Sequence, residues 1–232
     1  MATQIAANIR LIKQRIAAAA ARRGRDPESI RLMAVSKTVD PRRIREAIEA
    51  GMTLFGENYV QEAREKIPDI GHVVEWHMIG HLQTNKAKYV VNLFDWIHSV
   101  DRLELAQELN KRAGQHSRNL NVLIEVNVSG EESKNGAEPS QVLELVRQIS
   151  LLPNLSVRGL MTMPPYSDNP ETSRPYFIAL RQLRETIAGA AIPDVRMDHL
   201  SMGMTDDFEV AIEEGATIIR VGRAIFGARS YT

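Results

Sequence analysis

The chain has 232 residues, 44% hydrophobic and 25% charged, with 29 basic against 29 acidic side chains. That balance gives no global field for nucleic acid or an anionic membrane, and no apolar run approaches the roughly 20 residues of a membrane span. With no cysteine there is no disulfide and no thiolate metal site, which fits a reducing, cytoplasmic setting.

The first segment, about 3–23, carries Ile5, Ile9, Ile12 and Ile16 at spacings of 4, 3 and 4, the stripe of a helix docked on a core. Its basic, acid-free composition would also suit a targeting segment, but the stripe, Gly24 as a stop and the Asp26-Pro27 turn favour a structural helix. Residues 32–36 form a short apolar-leaning run ending in Lys37, and Thr38 to Pro41 breaks it, so a buried strand is predicted with lysine at its C-terminal end. Asp40-Pro41 starts a helix to about 49. A strand over 53–55 is followed by Gly56-Glu57-Asn58 and a helix through 66. Strand 73–79 leads to helix 84–91. Strand 95–99 leads to a helix capped by Asp101 and ended by Gly114. Strand 121–127 precedes a polar loop, 129–136, and a helix begun by Pro139 and ended by Pro153. Strand 155–160, helix 172–188, strand 195–200, a helix capped by Thr205 through 214, and strand 216–221 complete the pattern.

About eight strand–loop–helix units with no linker between them predict a single parallel (β/α)8 barrel filling 1–232; an open doubly wound sheet is the alternative. No G-x-G-x-x-G follows the first strand, which counts against a dinucleotide fold. In a barrel all strand C-termini open on one face, where Lys37, Asn58, His77, His81, Ser99, Asn127, Met161, His199, Ser201, Arg220 and Gly222 collect. Turn-forming Asn, Ser and Gly occur at strand ends without any site, so two loops carry more weight. The 199–206 loop has Ser201, Gly203 and a helix start; the 220–223 loop again has glycine beside arginine. The loops after strands 7 and 8 are where barrels hold phosphate. Asp206 and Asp207 would repel a phosphate if they faced it, and are expected in the helix's first turn, pointing to solvent.

A desolvated lysine can lose its proton and form a Schiff base with a carbonyl. Facing a phosphate cup, it implies a ligand with both aldehyde and phosphate: pyridoxal 5'-phosphate (PLP), or the substrate of a phosphosugar or keto-acid aldolase. Arg220, which keeps its proton, would hold a pyridine nitrogen unprotonated and make the ring a poor electron sink. His77 and His81 straddle a strand end and a glycine, not one helix face, so a zinc pair is not expected. Trp76 and Trp96 read as core, Met202 and Met204 as gap fillers, and Lys134 as a loop lysine in solvent, with assistance to ligand transfer as its alternative.

The segments AVSK (34–37), FGENYVQE (55–62), WHMIGHLQTNK (76–86), NVSGEESKNG (127–136), GLMTM (159–163), LSMGMTDD (200–207) and VGRAIFG (221–227) resemble, in order and over nearly the whole chain, the YggS/PROSC family of pyridoxal phosphate homeostasis proteins. Thr84 and Arg223 look like positions where such proteins vary. The resemblance implies a barrel like the N-terminal domain of alanine racemase, with PLP on Lys37 as an internal aldimine. By carry-over it implies that Ser201 and the backbone of Gly222 and Arg223 hold the phosphate and that Arg220 faces the ring nitrogen. Asn58, His77, Met161, His199 and Met204 would line the ring pocket.

Racemases of this class add a second domain and dimerise to supply a tyrosine opposite the lysine, and racemisation needs a base on each face of the α-carbon. Here one barrel uses the chain, and only Tyr59 and Tyr166 lie in loops near the mouth. The expectation is a cytoplasmic, monomeric protein that binds, buffers and hands PLP to apo-enzymes, contacting neither nucleic acid nor membrane. A PLP-dependent racemase and a Schiff-base aldolase stand as alternatives.

Overall fold

The computed structural model describes residues 3–131 and 134–227. Eight parallel strands close into a barrel in sequence order: β1 Arg31–Val35, β2 Leu54–Glu57, β3 Glu75–Met78, β4 Trp96–Val100, β5 Leu120–Glu125, β6 Leu155–Met161, β7 His199–Ser201 and β8 Ile218–Val221. Closure is made by β1 on β8, with Arg31 opposite Ile218 and Ala34 opposite Val221. The helices between them are α2 Pro41–Glu49, α3 Val60–Ile70, α4 Ala87–Val90, α5 Leu103–Gln115, α6 Pro139–Ser150, α7 Arg174–Gly189 and α8 Phe208–Glu213.

The N-terminal helix, α1 Gln4–Ala21, is capped by Thr3, whose hydroxyl accepts from the Ala6 amide at 3.2 Å. Its four-isoleucine stripe is buried, as the spacing predicts. Polar bonds tie it to the end of the chain: Arg15 to Glu209 (2.9 Å), Arg22 to Glu213 (2.6 Å) and Asn8 to the Ile225 carbonyl (2.9 Å). The helix is therefore a brace on the elements that follow strands 7 and 8. Among the described residues no helix is long and apolar enough to cross a membrane.

The elements depart from the sequence-based expectations where turn chemistry intervenes. The predicted strand over 195–200 shortens to β7, because Val195 turns back onto Ile192 and Asp194 takes φ +61°. The helix expected over 84–91 divides into a 3-10 turn, Thr84–Lys86, and the single turn α4. Arg102, not Asp101, occupies the cap of α5; the Asp101 carboxylate pairs with Arg102 instead. The helix predicted from Thr205 starts at Phe208, and α6 ends at Ser150, three residues before Pro153. A further single-turn helix, α9 Arg223–Phe226, follows β8 and was not foreseen.

Candidate functional site at the barrel mouth

A cavity of about 220 Å³ opens at the C-terminal ends of the strands. Of the residues singled out in the sequence, Lys37, Asn58, Met204, Arg220, Gly222 and Arg223 line it. Val35, Ile79, Met163, Tyr166, Thr205 and Asp206 complete the wall and were not among the predicted site residues. Their signal was position alone: each lies within a few residues of a strand's C-terminal end. His77, Met161, His199 and Ser201 are not brought to the wall. They belong to strands whose inward positions lie deeper in the barrel.

Lys37 is held by its neighbours on both sides. The Ser36 carbonyl accepts from Lys66 Nζ (2.6 Å), and the Ser36 hydroxyl donates to buried Glu57 (2.7 Å). Lys66 also pairs with Glu57 (3.3 Å) and with Glu62. Burial raises the pKa of the Glu57 carboxyl, against the opposing pull of Lys66 and Ser36. On the far side, the Thr38 amide donates to Glu62 (2.6 Å) and Thr38 takes φ +61°, a left-handed conformation that costs a residue with a β-carbon about 1 kcal/mol. A polar clamp on α3 thus sets the exit of β1 from behind.

Two glycines permit the remaining walls. A Cβ on Gly80 would collide with the Asn58 backbone, so glycine lets the two loops touch and brings Asn58 to the cavity. The Asn58 Oδ1 is buried there with no protein hydrogen-bond donor. Gly203, at φ +90°, turns the loop after β7 against α8, where a Cβ would meet Ala211 at 2.5 Å.

The expectation that Asp206 and Asp207 lie in the helix's first turn and point to solvent is corrected for both: each precedes the first residue of α8, and Asp207 turns inward. That side chain is buried, and its carboxylate accepts from the Met204 amide at 2.6 Å, fixing the loop. Asp206 lines the cavity, and its charge is balanced by an ion pair with Arg223. Beyond Gly222, α9 begins; the Ile225 and Phe226 amides both bond the Gly222 carbonyl. The amides of Arg223 and Ala224 are those a helix start leaves without an intrahelical acceptor.

Arg220 closes the floor. It is 3% exposed and donates to the Ser201 carbonyl (2.7 Å), the Ser201 hydroxyl (2.8 Å) and the Thr162 carbonyl (2.8 Å). Burial lowers its pKa to about 10, with Asp207 and Glu125 opposing, so it remains cationic at neutral pH. Ser201 is accordingly a support beneath Arg220, its hydroxyl engaged by Arg220 and His98 (3.0 Å). His77, His98 and Trp96 occupy the interior, whereas Trp76 lies on the outer side of the strands. Trp96 stacks on His77 and lies edge-on to His199, while Trp76 packs on Phe55. His81 lies 3.8 Å from Asp101, and among the described residues no cluster of three or more His, Asp or Glu is arranged to hold a metal. Lys134 lies 3.7 Å from Glu131; Glu132 and Ser133 of that loop are outside the described residues.

The closed eight-stranded parallel barrel is the fold shared with alanine racemase N-terminal domains. The sequence matches the family described as "Alanine racemase, N-terminal domain" over residues 2–230. It is similar in fold to the alanine racemase of Corynebacterium glutamicum (TM-score 0.76, 17% identity), covering 97% of this chain and 61% of that one. Much greater similarity is found with the pyridoxal phosphate homeostasis protein of Aquifex aeolicus, 49% identical across 95% of this chain and 96% of that protein. PipY of Synechococcus elongatus, solved with PLP bound, superposes with a TM-score of 0.83 at 36% identity, covering 97% of this chain and all of that one. The chain belongs to the family of pyridoxal phosphate homeostasis proteins.

Proposed function

We propose that the chain holds PLP in the mouth cavity, covalently through the Lys37 amine, and keeps and delivers the cofactor instead of turning over amino acids. One observation carries this reading: a lysine, a buried guanidinium and a helix start converge on a single cavity. The residues present fit the group. Lys37 supplies the nucleophile, the Gly222–Arg223 backbone and Thr205 supply donors for an anion, and the orphaned Asn58 oxygen accepts a donor from the ligand side. When bound, PLP supplies an aldehyde that captures an amine and a ring that draws electrons from the attached carbon. Arg220, always a donor, suits an unprotonated ring nitrogen and restrains that electron withdrawal.

Among the described residues, neither tyrosine near the mouth is the buried, tuned acid/base that racemisation requires. Tyr166 lines the cavity but is 75% exposed, and its hydroxyl donates to Asp168 at 2.8 Å. That bond raises its pKa, so it is a poor base. Tyr59 is exposed in a neighbouring depression with His81 and Lys86. In this reading the chain acts as a single, monomeric barrel domain in the cytoplasm, handing PLP to apo-enzymes; the cysteine-free composition supports that compartment.

The test is the visible absorbance of purified protein. Wild type is expected to show a band characteristic of lysine-bound PLP, borohydride should fix the cofactor's mass on Lys37, and Lys37→Ala should lose both. Incubation with amino acids in deuterated solvent should show no exchange of the α-proton above background. An unchanged band in Lys37→Ala would overturn the anchor, and rapid exchange would establish a racemase. Trapping a keto substrate in protein without a chromophore would establish an aldolase.

A further inference from the structure

The cavity floor is the upper end of a longer polar file. β4 and β7 are not neighbours in the barrel, so the bond between His98 Nδ1 and Ser201 Oγ (3.0 Å) crosses its interior. Below it, His98 Nε2 lies 2.8 Å from His77 Nδ1, and His77 Nε2 lies 3.0 Å from Glu75 Oε1. Glu75, the first residue of β3, is gripped by Arg31, the first residue of β1. The file thus runs from the mouth to the strands' N-terminal end.

With both rings neutral, the carboxylate end dictates the direction of every hydrogen in the file, and the arginine end agrees with it. A guanidinium only donates, so Ser201 Oγ accepts from Arg220 Nη1 and keeps its own proton available to donate to His98 Nδ1, as the neutral rings counted from the Glu75 end require. His98 then carries its proton on Nε2 and donates to His77 Nδ1. His77 donates from Nε2 to Glu75, and a carboxylate only accepts. One consistent arrangement results, with two neutral imidazoles, both protonated on Nε2. Burial disfavours the charged form of each ring. Glu75 is the opposite case: burial works against its charge, but the bonds from His77 and Arg31 hold its pKa down at about 2. Trp96 stacks on His77 (5.3 Å between ring centres, 23° between planes) and walls off this part of the file.

We propose that Glu75, His77, His98 and Ser201 are positioning residues for Arg220: the file fixes the guanidinium at the cavity floor, where it would meet the cofactor's ring nitrogen, so breaking a link remote from the cavity changes how the cofactor is held. The role rests on the cofactor-holding function proposed above. Nitrogen-15 spectra of the cofactor-free protein at pH 7 should show His77 and His98 as neutral Nε2–H tautomers. His98→Phe, which keeps bulk but removes both links, should shift the band of the bound cofactor and raise the PLP dissociation constant about tenfold, with Lys37 still captured by borohydride. Glu75→Gln keeps an acceptor for His77 and should stay close to wild type, whereas Glu75→Leu should behave like His98→Phe. This second pair carries the test if His98→Phe does not fold.

A δ tautomer or an imidazolium at either ring would overturn the file. Wild-type spectra and affinity in both His98→Phe and Glu75→Leu would overturn the positioning role alone. A wild type that takes up no PLP would overturn the proposed function and this role with it, while the tautomers remain readable.

Discussion

The two faces of the barrel wall are built from different chemistry. Between strands and helices lies one continuous apolar cluster that includes Ile9 and Ile12 of α1, Phe55, Trp76, Phe177 and Phe208. Inside the barrel, apolar packing is reduced to two small groups, Met33, Leu54, Ile79 and Ile218 on one side and Trp96, Leu123 and Met161 on the other. The space between them holds buried His77, His98, Ser201, Arg220 and Glu125. Barrels of this class ordinarily fill that space with branched aliphatic side chains. The outer shell therefore supplies most of the stability, and the interior is given over to holding Arg220 and its support. A protein divided in this way should lose stability and ligand affinity separately.

The largest expected effect is on the shell. Phe177→Ala removes a fully buried ring from α7, which should cost about 3–5 kcal/mol in urea unfolding. The band and affinity of bound PLP in the folded fraction should be unchanged; a shift in either would mean that shell and interior are not separable. Next comes a residue on the boundary. Lys66→Met takes one partner from a buried ion pair and leaves Glu57 with the Ser36 hydroxyl, a loss of roughly 2–4 kcal/mol. Because Lys66 also holds the Ser36 carbonyl beside Lys37, this variant should lose PLP faster than wild type on dilution, unlike Phe177→Ala. Adding Glu57→Leu should restore most of the stability but not the retention.

The division between shell and interior was only partly legible in the sequence. Helix stripes and the β1 run ending at Lys37 gave the barrel, because burial on one face imposes a period that survives without coordinates. The mouth was partly legible through residues at strand ends: Lys37, Asn58, Arg220 and Gly222 line the cavity, while Met204 and Arg223 came from the family resemblance. His77 was expected at the wall, but β3 continues past it and Ile79 reaches the mouth instead. The file itself left a trace that strand periodicity alone does not decode. Glu75 and His77, Trp96 and His98, and His199 and Ser201 are each two apart, so each pair shares a strand face. Which face turns inward, and that β4 meets β7 across the interior, follow only from closure. The single turn of α9 is too short to produce a periodic signal.

The smallest of these effects, and the one that most sharply separates the two regions, concerns Glu125. Its carboxyl is buried in the interior with Oε2 unbonded; burial, and then the charge of Asp101, raise its pKa to about 7, against the pull of Arg220. The folded chain therefore retains a proton that the unfolded chain, with a carboxyl near 4.5, releases between those two values. Stability is at its fullest below pH 4.5 as far as this group is concerned, and falls as pH rises toward and through 7. Glu125→Gln removes the ionisation and keeps the shape. It should match wild type within about 0.5 kcal/mol at pH 4.5 and exceed it by roughly 2–3 kcal/mol at pH 8, read from urea unfolding across that range. Phe177→Ala, measured in the same series, should be displaced from wild type by a constant amount, because an apolar ring has nothing to titrate. A Glu125→Gln difference that is equally flat would mean that the interior, like the shell, contributes through packing alone.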